Sequence, residues 1–525
     1  MASSSGLNYQ WHIAGPRPLD ILQTIGNGCA FLDYNGDGNL DVLLVGTDHL
    51  ALYKGDGHGR FTDVSQAAGL WGLRGHFLGC AVGDYDNDGL ADVYVSGYRT
   101  GLLLHNLGGK RFEDVTREAG LGPQPWGTSA AFGDMDNDGR LDLYVANYAA
   151  YDPAIGPRLC SSRGRMTSCG PYHFKPIKGV LYHNEGHGRF RDVTESSSAH
   201  RMHGRTLGAA FADYDGSGQQ SLYLANDEIE GDMLQNVGKS FQPAGLKSGT
   251  AFGGPSVTHG GMGVDWGDYD NDRKPDLMVA TFQGETKCIY HNEGGGLFRE
   301  ASDSLGLTPK VRPYVAFGTK WLDYDNDGWL DLMFANGHVQ DNIADIEQTA
   351  TYRQATQIFR NDHGKVFVDV SDRAGASFQK KIVGRGLAVG DYDNDGRVDV
   401  LVVDSEGAPL LLHNQSAPVG HWLCVKLIGT KSNRDGIGTT VTVTAGGLTQ
   451  TRLCHTDGSY LSASDVRVHV GLGKAKKVQT ILVQWPSGQK DTLHDVPVDK
   501  QLSIVEGSSP RLQRKPLAQV ARALD

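Results

Sequence analysis

The sequence predicts an all-β protein: a seven-bladed β-propeller followed by a small C-terminal β domain. Three observations predict it. An acidic nonapeptide recurs seven times, starting at Asp33, Asp84, Asp134, Asp213, Asp268, Asp323 and Asp391. Each copy lies between short apolar runs rich in β-branched and aromatic residues, such as "GTSAAFGD" before the third and "LDLYVAN" after it. Most copies then continue into two more strand-like runs around a Gly-rich turn, as in "LLLHNLGGKRFEDV" and "VLYHNEGHGRFRDV". A four-stranded unit repeated seven times is the signature of a propeller.

The elements follow in chain order. "MASSSG" is small and polar, without the basic start and apolar stretch of a secretory signal. "LNYQWHIAG", residues 7–15, is strand-like. The seventh unit passes from "PLLLHN" to "QSAPVGHWLCVKL" without an outer "RFxDV" strand, so residues 7–15 are expected to supply it and close the ring. The propeller then spans residues 7–417. Residues 418–507 form a second β domain, with alternating runs "TTVTVTA", "VRVHVGLG" and "QTILVQW" between turns at "NRDGIG" and "PSG". Residues 508–525 are a basic, weakly helical tail.

The acidic loop has the chemistry of a cation site. Oxygens at positions 1, 3, 5 and 9 come from side chains, and position 7 contributes its backbone carbonyl. Gly at position 6 permits the bend. Hard oxygen donors in a flexible cage suit Ca²⁺ over Mg²⁺ or Zn²⁺. A shared cation also turns the mutual repulsion of the carboxylates into attraction. The expected ligand sets are Asp33, Asn35, Asp37, Asn39 and Asp41; Asp84, Asp86, Asp88, Leu90 and Asp92; Asp134, Asp136, Asp138, Arg140 and Asp142. Further along they are Asp268, Asp270, Asp272, Lys274 and Asp276; Asp323, Asp325, Asp327, Trp329 and Asp331; Asp391, Asp393, Asp395, Arg397 and Asp399. The fourth copy keeps only Asp213 and Asp215, with Ser217 and Ser221 where Asp belongs, and is expected to bind weakly or not at all. The fifth has Arg273 in place of the Gly. About five to six Ca²⁺ sites are expected.

Composition bounds the partners. The chain has 525 residues and a formal net charge of -12, which argues against nucleic acid. No apolar run is long enough to span a bilayer. Seven cysteines include no C-x-x-C pair. A disulfide between Cys160 and Cys169 is plausible in their long polar segment. Cys424 and Cys454 are either a second pair across a sheet or buried free thiols.

On these loops and flanks, residues 15–415 resemble the FG-GAP and VCBS repeats of integrin-type propellers. "HWLCVKLIGTKSNRDGIGTTVTVTAGG", "GSYLSASDVRVHVGLG" and "VQWPSGQKDTL" resemble the ASPIC/UnbV domain. The resemblance implies calcium binding and secretion, to an extracellular or periplasmic location with the signal peptide already removed. It supplies no catalytic residue.

Two units carry long insertions between their second and third strands: "YAAYDPAIGPRLCSSRGRMTSCGPYHFKPIKG" and "GHVQDNIADIEQTATYRQATQ". Strands alternate in direction, so both insertions rise from the face opposite the acidic loops. Long loops on a rigid scaffold are where function tends to reside. The entrances to the inner strands on that face carry His76, Trp126, Arg205, His259, Tyr314 and Arg385, with His203 nearby, as a candidate pocket rim. Two functions are compatible with this: a binding module for a protein, glycan or small molecule, or an enzyme with a pocket at the central channel. The binding module is favoured because no catalytic constellation declares itself.

Overall fold

The computed structural model describes residues 2–254, 256–416 and 420–508. The predicted tail lies almost wholly outside them.

Each repeat folds as an antiparallel blade. In the first, Cys29–Leu32, Asp41–Val45, Leu50–Gly55 and Phe61–Asp63 pair in chain order. In the second, one long strand, Asp92–Leu107, pairs first with His76–Gly83 and then with Arg111–Asp114. The inner strands Cys29–Leu32, His76–Gly83, Gln124–Gly133, Thr206–Ala212, Val264–Gly267, Ala316–Leu322 and Gly384–Gly390 contact one another in that order, and the last returns to the first. These strands are buried along almost their whole length, which explains their small and apolar composition.

The closure differs from the expectation for residues 7–15. They form no strand, and the last blade has three strands, Gly384–Gly390, Asp399–Asp404 and Leu410–Leu412. Instead Leu7, Tyr9 and Trp11 pack between first and last blades against Phe31, Val42, Leu401 and Leu411. The Trp11 indole N–H donates to the Val45 carbonyl at 2.8 Å, and its backbone N–H donates to Gly407. Side chains seal this seam, so no ladder is required.

The second domain is two packed sheets. His421–Ile428 runs between Val468–Gly473 and, in parallel, Lys500–Val505. The other sheet is ordered Leu448–Leu453, Thr440–Ala445, Lys477–Gln484, Lys490–Pro497. Valines, leucines and isoleucines at alternate positions fill the space between them. Cys160 and Cys169 are disulfide-bonded. Cys424 and Cys454 are separate buried thiols. Cys424 belongs to the first sheet and lies beside Arg467 and Asp391, whereas Cys454 packs into the core, so the two cannot meet.

Candidate functional site: the capped loop face and the roofed hub

The seven acidic loops lie on one face, and all but the fourth and fifth share one hydrogen-bond plan. The first Asp accepts from the backbone N–H groups of positions 5 and 6, as Asp391 does from Asp395 at 3.0 Å and Gly396 at 2.8 Å. The ninth accepts from position 2 and from the third strand, as Asp331 does from Tyr324 and Asn361. Position 6 is left-handed throughout, with Gly328 at φ 93°, and Arg273 must adopt φ 72° to follow. Burial, reinforced by neighbouring carboxylates, raises the metal-free Asp323 carboxyl to about 8 and those of Asp134, Asp268 and Asp391 to about 7. Buried oxygens of Asp136, Asp268 and Asp393 have no hydrogen-bond partner. Orphaned carboxylate oxygens of this kind fit a hard divalent cation. The fourth loop holds its turn differently: the Ser217 hydroxyl lies 3.5 Å from Asp213, and the Gln235 amide donates to Asp215 at 2.7 Å.

Three features here escaped the sequence reading. A basic side chain at the end of the third strand leans over five of the loops. It is His105, His183, His291 or His413 in four blades, each beside the ninth Asp, and Lys54 over Asp37 in the first. Second, the fourth-position Asn links successive loops. Asn87, Asn137, Asn271 and Asn326 donate to the carbonyls of Gly139, Gly218, Gly328 and Gly396, and Asn394 reaches Asn39. Third, the small domain docks on this face. Arg452 donates to the Gly328 carbonyl at 3.2 Å, and Arg467 to Asp391 and Asn394 at 3.0 and 2.8 Å. Asp435 accepts from the Asp84 N–H at 2.8 Å. A Cβ on Gly396 would stand 1.9 Å from the Trp422 ring, so that position requires glycine.

From its docked position the small domain sends residues 455–465 into the central channel. The Phe31 N–H donates to the Ala463 carbonyl and the Ala463 N–H to the Cys29 carbonyl, while the Cys80 N–H donates to Leu461 and the Val264 N–H to Ser459. The Asp457 carboxylate accepts from the Phe211 N–H, while its carbonyl accepts from buried Lys320. At the tip, Tyr460 and Leu461 are both 0% exposed. The Tyr460 hydroxyl donates to Ile25 at 3.0 Å, on the far side of the ring.

That far side is roofed. The helix Ile21–Thr24 is capped by Asp20, whose carboxylate also accepts from Arg158. The disulfide-closed hairpin Leu159–Ser162/Arg165–Ser168 reaches the sixth-blade insertion. Thr167 donates to Asn342, Asn342 donates to the Met166 carbonyl, and Arg163 donates to the Ile346 carbonyl.

The predicted rim therefore does not enclose an open central pocket. Trp126 is buried among Tyr98, Tyr148 and Tyr151. Arg385 is buried, donates to the Thr24, Gly337 and His338 carbonyls, and stacks 3.9 Å over Phe317. Arg205 donates to Phe174 of the roof. His259 is buried against Tyr290, and that burial lowers its pKa to about 4. His76 packs on Tyr98. His203 turns away to pair with Asp232, and Tyr314 is half-buried, its carbonyl accepting from Lys287. One acidic group near the roof was not anticipated: Asp227, raised to about 7 mainly by burial, accepts from the Tyr148 hydroxyl at 2.6 Å, with Glu228 and Glu285 close by.

Ring, hub and acidic loops together define an all-β propeller of acidic-loop repeats capped by a second β domain. The FG-GAP-like repeat model matches residues 33–95, 84–145 and 268–334, and the ASPIC and UnbV model matches 429–511. The chain is similar to cartilage acidic protein 1. It is 23% identical to the Xenopus tropicalis protein over 90% of this chain and 72% of that one, and 23% identical to the Mus musculus protein over 93% and 74%. Among solved structures, YCF48 from Cyanidioschyzon merolae aligns with a TM-score of 0.41 at 13% identity, over 77% of this chain and 99% of that chain.

Proposed function

We propose that this chain is a calcium-braced binding module working outside the cytoplasm, with its ligand surface on the roof. The observation that carries this reading is the roof itself. Ile155, Met166 and Tyr172 are 87%, 51% and 65% exposed there. Arg163, Arg165 and Lys175 stand exposed in the same insertion, in a chain of net charge -12. Exposed apolar side chains rimmed by charge mark an interaction site. The Cys160–Cys169 disulfide supports an oxidising compartment. No helix of the described residues is long and apolar enough to cross a membrane.

Calcium on this reading is structural. It sits in the loops starting at Asp33, Asp84, Asp134, Asp268, Asp323 and Asp391, and it fixes the carbonyls and asparagines on which the small domain rests. The fourth loop, with Ser217 and Ser221, binds none. The enzyme alternative would need open volume at the channel, where Tyr460, Leu461 and Trp126 pack.

Two measurements test the proposal. Calorimetric titration with Ca²⁺ should count about five to six sites, and Asp391→Ala should remove one; an unchanged count rejects the loop assignment. Native protein and an Arg165→Glu/Lys175→Glu/Tyr172→Ala variant should then be compared on glycan and extracellular-protein arrays. Hits retained equally by both would place the ligand surface elsewhere.

A further inference from the structure

The seventh blade is one strand short, and among the described residues nothing pairs with the outer edge of Leu410–Leu412. In the other six blades the outer strand carries a phenylalanine that covers the second residue of the acidic loop one blade earlier. Ring centroids lie 6.2 Å apart for Phe112 and Tyr34, 5.6 Å for Phe190 and Tyr85, and 5.6 Å for Phe298 and Tyr214. They lie 5.8 Å apart for Phe367 and Tyr269 and 5.6 Å for Phe61 and Tyr392, while Phe241 packs with Met135. The residue that a seventh phenylalanine would cover is Tyr324. It has no aromatic neighbour among the described residues and is partly exposed, whereas the other five tyrosines are buried. Beside it a groove of about 1050 Å³ runs between the sixth and seventh blades, with Leu322, Ile358, Val400 and Leu412 along it. The N-terminal turn Ala2–Ser5 borders this groove through Ser4 and Ser5, while Leu7, Tyr9 and Trp11 are committed to the opposite seam of the same blade.

We propose that this groove is a strand-acceptor site that takes an extended segment of a partner polypeptide as the missing fourth strand. The other blades specify what fits. Five of the six outer strands read Phe-x-(Asp/Glu)-(Val/Ala)-(Ser/Thr): "FTDVS", "FEDVT", "FRDVT", "FREAS" and "FVDVS". Their hydroxyls accept from third-strand N–H groups, as Thr116 does from Leu103 at 2.8 Å and Ser302 from Ile289 at 2.8 Å. In the observed register Phe112 faces Asn106 and Asp114 faces Leu104. By the same register the partner's aromatic residue faces Asn414, its acid faces Leu412, and its hydroxyl reaches the Leu411 N–H. Arg360 and Arg373 on the sixth-blade wall complement that acid. Main-chain pairing supplies affinity in such strand addition, and the side-chain pocket supplies selectivity.

The test is a fluorescent peptide, GRFTDVSQ, copied from residues 59–66 and titrated into the full chain by polarisation. Saturable one-to-one binding is expected. Replacing the peptide's Phe with Ala, or Tyr324 with Ala in the protein, should each weaken it by about tenfold or more, the loss of a buried aromatic anchor. Leu412→Asp should abolish binding; should that variant fail to fold, Tyr324→Ala, at a partly exposed site, carries the test alone. Absence of saturable binding, or binding indifferent to both aromatic deletions, overturns the proposal. Binding that emerges only after truncation at Ser508 would assign the groove to the chain's own tail. Self-association abolished by Tyr324→Ala would assign it to a second copy. Either result also overturns a distinct partner.

Discussion

The two faces of the propeller are built on the same strands and follow opposite rules. On the loop face, turns of nine residues repeat one geometry, and a second domain uses that regularity as a footing: Arg452, Arg467 and Trp422 meet the sixth and seventh loops. On the roof face, connections differ in length from blade to blade, and two of them meet across the ring. The loop face is constrained three times over, by carboxylates crowded together on tight turns, by an Asn relay from loop to loop, and by the docked domain. The roof carries only the constraint of covering the hub, so its outer surface is free to vary.

This contrast can be broken by experiment. The largest effect should come from chelation. In the metal-free protein the carboxyls of Asp134, Asp268, Asp323 and Asp391 titrate above an ordinary Asp. The folded state then holds protons that the unfolded chain has already released, so metal-free stability falls as pH rises from about 4 through about 7. Calorimetry in chelator should therefore give a higher melting midpoint at pH 5 than at pH 7.5, and excess Ca²⁺ should raise the midpoint most at pH 7.5. A midpoint indifferent to chelator at pH 7.5 would remove calcium from the account of this face.

Tyr460→Ala comes next. It empties the hub and strands the Ile25 carbonyl, a loss of about 3–5 kcal/mol read by denaturant unfolding. A loss under about 1 kcal/mol would mean that the segment merely rests in the channel. Asn326→Ala removes one link of the loop relay and leaves the Gly396 carbonyl to the His469 ring alone, which should cost about 1 kcal/mol. Arg273→Gly relieves a left-handed arginine and should stabilise by about 1 kcal/mol. The smallest effect belongs to the roof: Arg165→Glu with Lys175→Glu should shift stability by less than about 0.5 kcal/mol, since both are exposed. A large shift there would mean that the roof is as constrained as the loops.

The difference also explains what could be read in advance. Blades and acidic loops were legible because their signals are local: a Gly at position 6, a carboxylate at every second position, a strand period of two. The hub was not. "GSYLSAS" carries no periodicity that marks an inserted segment, and nothing near Ala463 signals that it pairs with Ala30. The expected rim residues gave no hint that Tyr460 and Leu461, more than 300 positions from Trp126, pack among them. Residues 7–15 had the composition of a strand. Their aromatic side chains found a seam to fill, and that burial took precedence over pairing.

The hub also sets an order of events during synthesis. Its tip, residues 459–463, comes after every blade in the chain. While the blades emerge, the inner strands surround a channel lacking the side chains and hydrogen bonds that will fill it. The ring can assemble loosely in that interval, but it cannot reach its final packing. The last domain must fold, land on the loops and insert its tip before Cys80 and Val264 find their acceptors. Contacts of such long sequence separation make folding slow. They also make the propeller and its cap a single cooperative unit, so a nascent chain stalled before residue 455 should remain a client of chaperones.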